Sequence, residues 1–184
     1  MKLIKEMIVG EFGAFVQSHL SKSGIEVVLS GGATVSIYSS NKYVSHDLDF
    51  INMFSASRKD IRASMIEIGF TEVGRYYKHP DSQFLIEFPP GPLSVGKEPV
   101  KQISEIRFIT GVLKVISPTD CVKDRLAAYF HWGDQQSLTQ AILVSTYHKI
   151  DFEEIRRWSQ VEGKLEEYEN IRQKLQIRSA KDGF

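Results

Sequence analysis

The sequence predicts a mixed α/β sheet domain over residues 1–115, followed by a helical segment over 116–184 packed on it. Two observations predict the first part. "IEVVLSGG" (Ile25 to Gly32) is a short β-branched run that closes on glycines, and "HDLDFINM" (His46 to Met53) alternates apolar and polar residues with a period of two. Helix-length segments separate such runs. A third observation predicts the second part: from "SPTDCVKDRLAAYFHW" onward only helical periodicity remains.

The elements follow in order. Ile4, Ile8, Phe12, Phe15, Val16 and Leu20 recur at helical spacing, so Ile4 to Ser21 reads as an amphipathic helix that Gly24 ends. "IEVVLSGG" is a buried strand, and "ATVSIYSS" a short helix packing through Val35 and Tyr38. In "HDLDFINM" Leu48 and Phe50 point one way, and Asp47, Asp49 and Ile51 the other. "SASRKDIRASMIEIGF" opens on a serine cap and carries Ile61, Met65 and Ile68 before Gly69, a helix again. "TEVGRYYKHP" and "QFLIEFPP" read as a strand pair, and a proline-glycine loop runs from Pro89 to Gly96. "KQISEIRFITGVLKVIS" reads as a hairpin turning near Gly111. Ser117 or Thr119 caps the next helix, and Pro118 suits its first turn.

Composition narrows the function. Among 184 residues, 23 Lys and Arg balance 23 Asp and Glu, which argues against a general polyanion-binding surface but allows one local basic patch. The single cysteine, Cys121, excludes an internal disulfide and a cysteine-based zinc framework, and fits a reducing cytoplasm. No apolar run approaches the roughly 18 residues of a membrane span. The N-terminal residues scatter Lys2, Lys5, Glu6 and Glu11 through the run that a signal peptide would keep apolar. The chain is expected to be cytoplasmic, with no membrane partner.

The chemistry sits in the paired acids. Asp47 and Asp49 leave one face of a strand about 6.5–7 Å apart. Two buried, ionised carboxylates without a partner would cost several kcal/mol, so the pair is either at an exposed face or held by a cation. Mg²⁺ is the natural candidate, with Mn²⁺ the alternative, because it takes hard oxygen ligands from one or two carboxylates and completes its shell with water and phosphate. Glu87, mid-strand between Ile86 and Phe88, supplies a third acid on a neighbouring strand. The glycines have a matching use. Gly31 and Gly32 let the backbone turn sharply after a strand and approach a ligand, with Ser30 and Thr34 as hydroxyl donors, an arrangement suited to a triphosphate. Singly these features have plainer readings: a turn, a solvated edge, or a Glu87 ion pair with Arg75, Lys78 or Arg107. The ordered layout as a whole is more specific.

That layout resembles the nucleotidyltransferase superfamily, whose signature is a strand ending in Gly-Gly or Gly-Ser, an Asp-x-Asp strand, and a third acid on a later strand. Here those positions are Gly31 and Gly32, Asp47 and Asp49, and Glu87, within residues 25 to 90. The tail "SPTDCVKDRLAAYFHWGDQQSLTQAILV" is similar to that of AbiEii-type toxin nucleotidyltransferases and related bacterial proteins. The resemblance implies a DNA polymerase beta-like core, with Lys123 on the nucleotide phosphates and Asp134 as a later family acid. Two departures stand out: the third acid is Glu rather than Asp, and "FHWGDQQS" offers His131 and Trp132 where the family often carries an Arg/Lys-rich turn.

The resulting expectation is a Mg²⁺-dependent nucleotidyltransferase, with Asp47, Asp49 and Glu87 catalytic and metal-binding, and Ser30, Gly31, Gly32 and Lys123 on the nucleotide. It would move a nucleoside monophosphate from a nucleoside triphosphate to a hydroxyl of an RNA or protein acceptor, as the toxin of a toxin–antitoxin pair. The alternatives are a small-molecule (antibiotic) nucleotidyltransferase and a non-catalytic nucleotide-binding or protein-interaction module on the same fold.

Overall fold

The computed structural model describes residues 2–54 and 56–177. A single turn of 3₁₀ helix (Ile4–Glu6) precedes α1 (Val9–Lys22), so the first helix starts later than its apolar spacing suggests. The reason is local: the Glu11 carboxylate accepts the Ile8 N–H at 3.0 Å, which fixes the helix start just after Ile8. Next come β1 (Val27–Ser30), α2 (Gly32–Tyr38), β2 (Asp47–Asn52) and α3 (Arg58–Glu67). The Ser57 hydroxyl caps α3 by accepting the Asp60 N–H.

The expected strand pair at 71–90 is three strands. β3 (Thr71–Val73) and β4 (Tyr76–Lys78) form their own hairpin across Gly74 and Arg75, and β5 (Leu85–Glu87) pairs with β4. Gly74 takes φ +65, the left-handed region a two-residue turn demands. The loop that follows carries a cis Gly91–Pro92 bond and a small hairpin of β6 (Ser94–Val95) and β7 (Glu98–Pro99). The hairpin expected near Gly111 is β8 (Ile103–Phe108) with β9 (Gly111–Ile116). Four helices follow: α4 (Pro118–Trp132), α5 (Gln135–Tyr147), α6 (Phe152–Val161) and α7 (Leu165–Gln176). Ser117 caps α4, with Pro118 in its first turn.

Seven strands form one mixed sheet in the order β3-β4-β5-β2-β1-β9-β8. β1 runs parallel to β9, and β2 parallel to β5; the other neighbours are antiparallel. α1 lies across β9 and β1, so closely that a Cβ on Gly13 would stand 3.2 Å from both Leu48 and Leu113. Its Phe12 ring meets Phe70 and Phe84. Buried Gln17 of α1 ties two strands together, donating to the Val27 carbonyl (2.6 Å) and accepting the Lys114 N–H (2.8 Å). A buried amide that uses both its ends in this way stabilises rather than costs. On β2, Leu48 and Phe50 are fully buried, which turns their alternate neighbours Asp47 and Asp49 to the other face.

The β6–β7 hairpin reaches the helices. Trp158 donates its indole N–H to the Val95 carbonyl (3.2 Å), and the Lys97 N–H donates to Glu162 (2.7 Å). Among the described residues no helix is long and apolar enough to cross a membrane.

Candidate active site

Register builds the site. Asp49 stands opposite Ser30 of β1 and, on its other side, opposite Glu87 of β5, while Asp47 pairs with Leu85. With a side-chain period of two, Asp47, Asp49 and Glu87 therefore share one sheet face. The loop before β2 is tied down so that this register is fixed. The Ser45 N–H donates to the Ser36 hydroxyl (2.7 Å), Ser45 Oγ donates to the Asp47 carbonyl (3.0 Å), and the Leu85 N–H donates to the His46 carbonyl (2.8 Å).

Gly31 closes the site from above. Its φ of +69 and ψ of −157 suit glycine alone, and a Cβ there would lie 2.3 Å from Asp49 Oδ2. The absent side chain is the space the Asp49 carboxylate occupies. Gly32 is less constrained, its nearest such contact being Ser45 Oγ at 3.2 Å. Ser30 turns its hydroxyl to the Asp49 carbonyl at 3.5 Å. Thr34, expected as a hydroxyl donor, is committed within the fold: its Oγ1 donates to the Gly31 carbonyl (2.6 Å) and meets Cys121 Sγ at 3.1 Å. Burial pushes the Cys121 thiol up to about 12, so it is a packing residue rather than a nucleophile.

Asp49 is the perturbed group. Burial first, then the neighbouring charges of Glu87, Asp47 and Asp124, raise its carboxyl to about 6; Arg125 opposes them. Asp124 and Arg125 lie on α4, and sequence reasoning did not single them out. Arg125 Nε donates to Asp124 (3.1 Å) and Nη1 to Gln140 (3.3 Å). They stand three and four positions after Cys121, and that residue's tertiary contact with Thr34, which no sequence pattern announces, turns that face of α4 toward the glycine turn.

Lys123 falls on another face. Its ammonium lies 2.9 Å from Asp120 and 3.1 Å from Glu154, is 7% exposed, and sits in a separate cleft of about 300 Å³ with Glu98, Asp151 and Arg157. The structure does not bring it among the three acids. Asp134 caps α5, accepting the Gln136 N–H (3.0 Å) and the Ser137 hydroxyl (2.7 Å). His131 Nε2 meets Glu162 at 3.4 Å, and Trp132 is exposed at its helix end.

Among the described residues no three Asp, Glu, His or Cys side chains are gathered tightly enough to hold a metal ion as they stand. Glu87 leans instead to Arg75, 3.5 Å away. The donor set nevertheless fits a hard divalent cation. Three carboxylates share one face in fixed register, and a cation would offset both the burial and the neighbouring negative charges that raise Asp49.

Comparison with known proteins agrees on the fold. The chain superposes on a nucleotidyltransferase-like antigenic protein from Paracoccidioides brasiliensis with a TM-score of 0.64 and 12% identity, covering 92% of this chain and 93% of that one. It also superposes on the antibiotic-resistance factor ANT(2″)-Ia in two structures. The solution structure gives a TM-score of 0.51 at 13% identity over 85% and 94% of the chains. The crystal structure with adenylyl-2″-tobramycin gives 0.54 at 10% identity over 80% and 92%. Neither a protein-family model nor a curated protein sequence matches the chain. The fold is a nucleotidyltransferase-like α/β fold with a mixed sheet.

Proposed function

We propose that the protein is a nucleotidyltransferase that moves a nucleoside monophosphate from a nucleoside triphosphate to an acceptor hydroxyl, releasing pyrophosphate. The observation that carries this reading is the placement of Asp47, Asp49 and Glu87 on one sheet face against the Gly31 turn, in a fold shared with nucleotidyltransferase-like proteins. Asp47 and Asp49 would hold Mg²⁺ or Mn²⁺, with Glu87 completing the set. When bound, the metal would offset the triphosphate's charge and polarise its α-phosphate.

The chain's own groups account for the rest. Gly31 and Gly32 let the triphosphate approach the backbone, and Ser30 borders that turn. Glu87 takes the proton of the acceptor hydroxyl, whose oxygen forms a bond to the α-phosphorus as the bond to the pyrophosphate oxygen breaks. Arg125, whose charge is felt at Asp49, would be the α4 cation to offset phosphate charge, on releasing Asp124. Lys123 would join it only by releasing Asp120 and Glu154.

The acceptor divides the readings. The tail's resemblance in sequence to AbiEii-type toxins would favour an RNA or protein acceptor and a neighbouring antitoxin. Likeness to ANT(2″)-Ia, whose structure was solved with adenylyl-2″-tobramycin, supports a small-molecule acceptor. The test is transfer of label from nucleoside triphosphates into a cell extract with Mg²⁺. We expect transfer by the wild type and none by Asp47→Ala/Asp49→Ala; label moving equally well with the double variant would sink the assignment. Growth arrest on expression, relieved by the same variant, would mark the toxin reading, and aminoglycoside resistance the small-molecule one.

A further inference from the structure

We infer that the open edge of β8 takes the same edge of a second copy of this chain, antiparallel about Ile106, so that two seven-stranded sheets become one. The pairing goes beyond nucleotidyl transfer and does not depend on it.

β3 and β8 are the two edges of the sheet. An edge that stays unpaired is usually kept short, or broken by proline or a bulge. β3 follows that rule with three residues, and its Glu72 is already held by Arg58 and Arg62. β8 does not. It has six residues and no proline, and it pairs with β9 residue for residue from Ile103 to Phe108 without a bulge. Its main neighbours among the described residues are β9 and α1. α1 lies on the sheet face, where its Gly10 meets the Phe108 ring, and leaves the edge itself uncovered.

Backbone phase decides which residues can meet. β8 and β9 turn through two residues, Ile109 and Thr110, so Phe108 and Gly111 form the hydrogen-bonded pair that closes the turn. Alternation then points the N–H and C=O of Arg107, Glu105 and Ile103 away from β9, onto the edge. The Glu105 and Arg107 side chains are exposed and, among the described residues, enter no ion pair. Charge selects the register. A twofold pairing centred on Glu105 or on Arg107 sets that residue opposite its own copy, like charge against like. Centred on Ile106, the pairing sets Glu105 opposite Arg107 of the second copy, and Arg107 opposite its Glu105, with their outward backbone groups bonded to one another. The same register brings Ile103, 36% exposed, beside Ile109 of the second copy, which is 84% exposed, and covers both. β9 and β1 lie between β8 and the acids on β2, so both sites stay open. Strand pairing alone is a small interface, and a dissociation constant of about 1–100 µM is expected.

The experiment is sedimentation velocity of the full chain from about 1 µM to about 500 µM, with hydrogen exchange of the peptide spanning 103–109 at both ends of that range. Wild type should pass from one chain to two as concentration rises, and exchange in that peptide should slow. Glu105→Arg and Arg107→Glu each turn both cross-strand pairs into like charges, and each alone should weaken dimerisation about tenfold or more. Mixed in equal amounts, the two variants should pair with one another about as tightly as wild type, since every arginine then meets a glutamate. Glu105→Arg/Arg107→Glu in one chain should again pair with itself. Recovery in the mixture also shows that both single variants fold. A one-chain mass across the whole range, dimers that the charge reversals leave equally strong, or exchange at 103–109 that ignores concentration would overturn the proposal. So would reversed charges that recover pairing neither in the mixture nor in the double variant while keeping the wild-type circular dichroism spectrum.

Discussion

Gly31 and Asp49 occupy one another's space, and each sets the other's tolerance to change. A methyl group at Gly31 would collide with the Asp49 carboxylate and force a side chain into a left-handed backbone conformation. Gly31→Ala is expected to cost about 1–3 kcal/mol of stability and at least 100-fold in transfer rate by displacing Asp49. Gly32→Ala, with 3.2 Å to Ser45, should be much milder. Paired melting curves and label-transfer assays check both. Asp49 itself is a destabilising charge in the metal-free protein. A carboxyl raised from 3.8 to about 6 ionises at a cost that is absent below pH 3.8, grows between 3.8 and 6, and is full above 6. Asp49→Asn should therefore abolish transfer yet stabilise the metal-free protein by about 1–3 kcal/mol at pH 8, with the gain vanishing near pH 4. Urea unfolding at the two pH values reads this directly; a destabilised variant at pH 8 would contradict it.

At the scale of elements, the ion pairs around Lys123 join α4, α6 and the β6–β7 hairpin. Glu154 accepts from both Lys123 and Arg157, and Arg157 also reaches Glu98. The Arg157 hydrogen bonds first, and Lys123 after them, hold the Glu154 carboxyl down to about 2. Its contribution is fully present above pH 4.5 and drains away as pH falls toward 2. Glu154→Gln should flatten the loss of stability across that window, as followed by circular dichroism. Lys123→Met should cost about 3 kcal/mol, because it leaves buried Asp120 without a cation, while Glu154 keeps Arg157. The strands that carry the acids were legible in the sequence because Leu48, Phe50 and Ile86 alternate with Asp47, Asp49 and Glu87, and full burial of the apolar set leaves the acids one direction to face. The β3–β4 and β6–β7 hairpins were not legible: strands of two or three residues are too short to show a period, and only Gly74 and Gly96 in their turns give them away. The α4 contribution was half legible. Its cap and Pro118 follow from local chemistry, but which cation faces the acids depends on the phase of the helix against α2, set by the contact between Cys121 and Thr34.

For the whole molecule, a neutral chain has sorted its charge by place. Acids crowd one sheet face beside Gly31, guanidiniums collect where α3 and the β3–β4 turn meet the proline loop, and Lys123 is enclosed by carboxylates away from both. The β6–β7 hairpin bears on how such a chain comes to be made. Its anchors, Trp158 and Glu162, lie 63 and 65 positions downstream of Val95 and Lys97. On a ribosome the strands carrying Asp47, Asp49 and Glu87 emerge well before those anchors do. During synthesis the β6–β7 hairpin therefore stays undocked until α6 arrives. Polypeptides stalled short of Trp158 should carry all three acids yet lack the clasp between hairpin and helices.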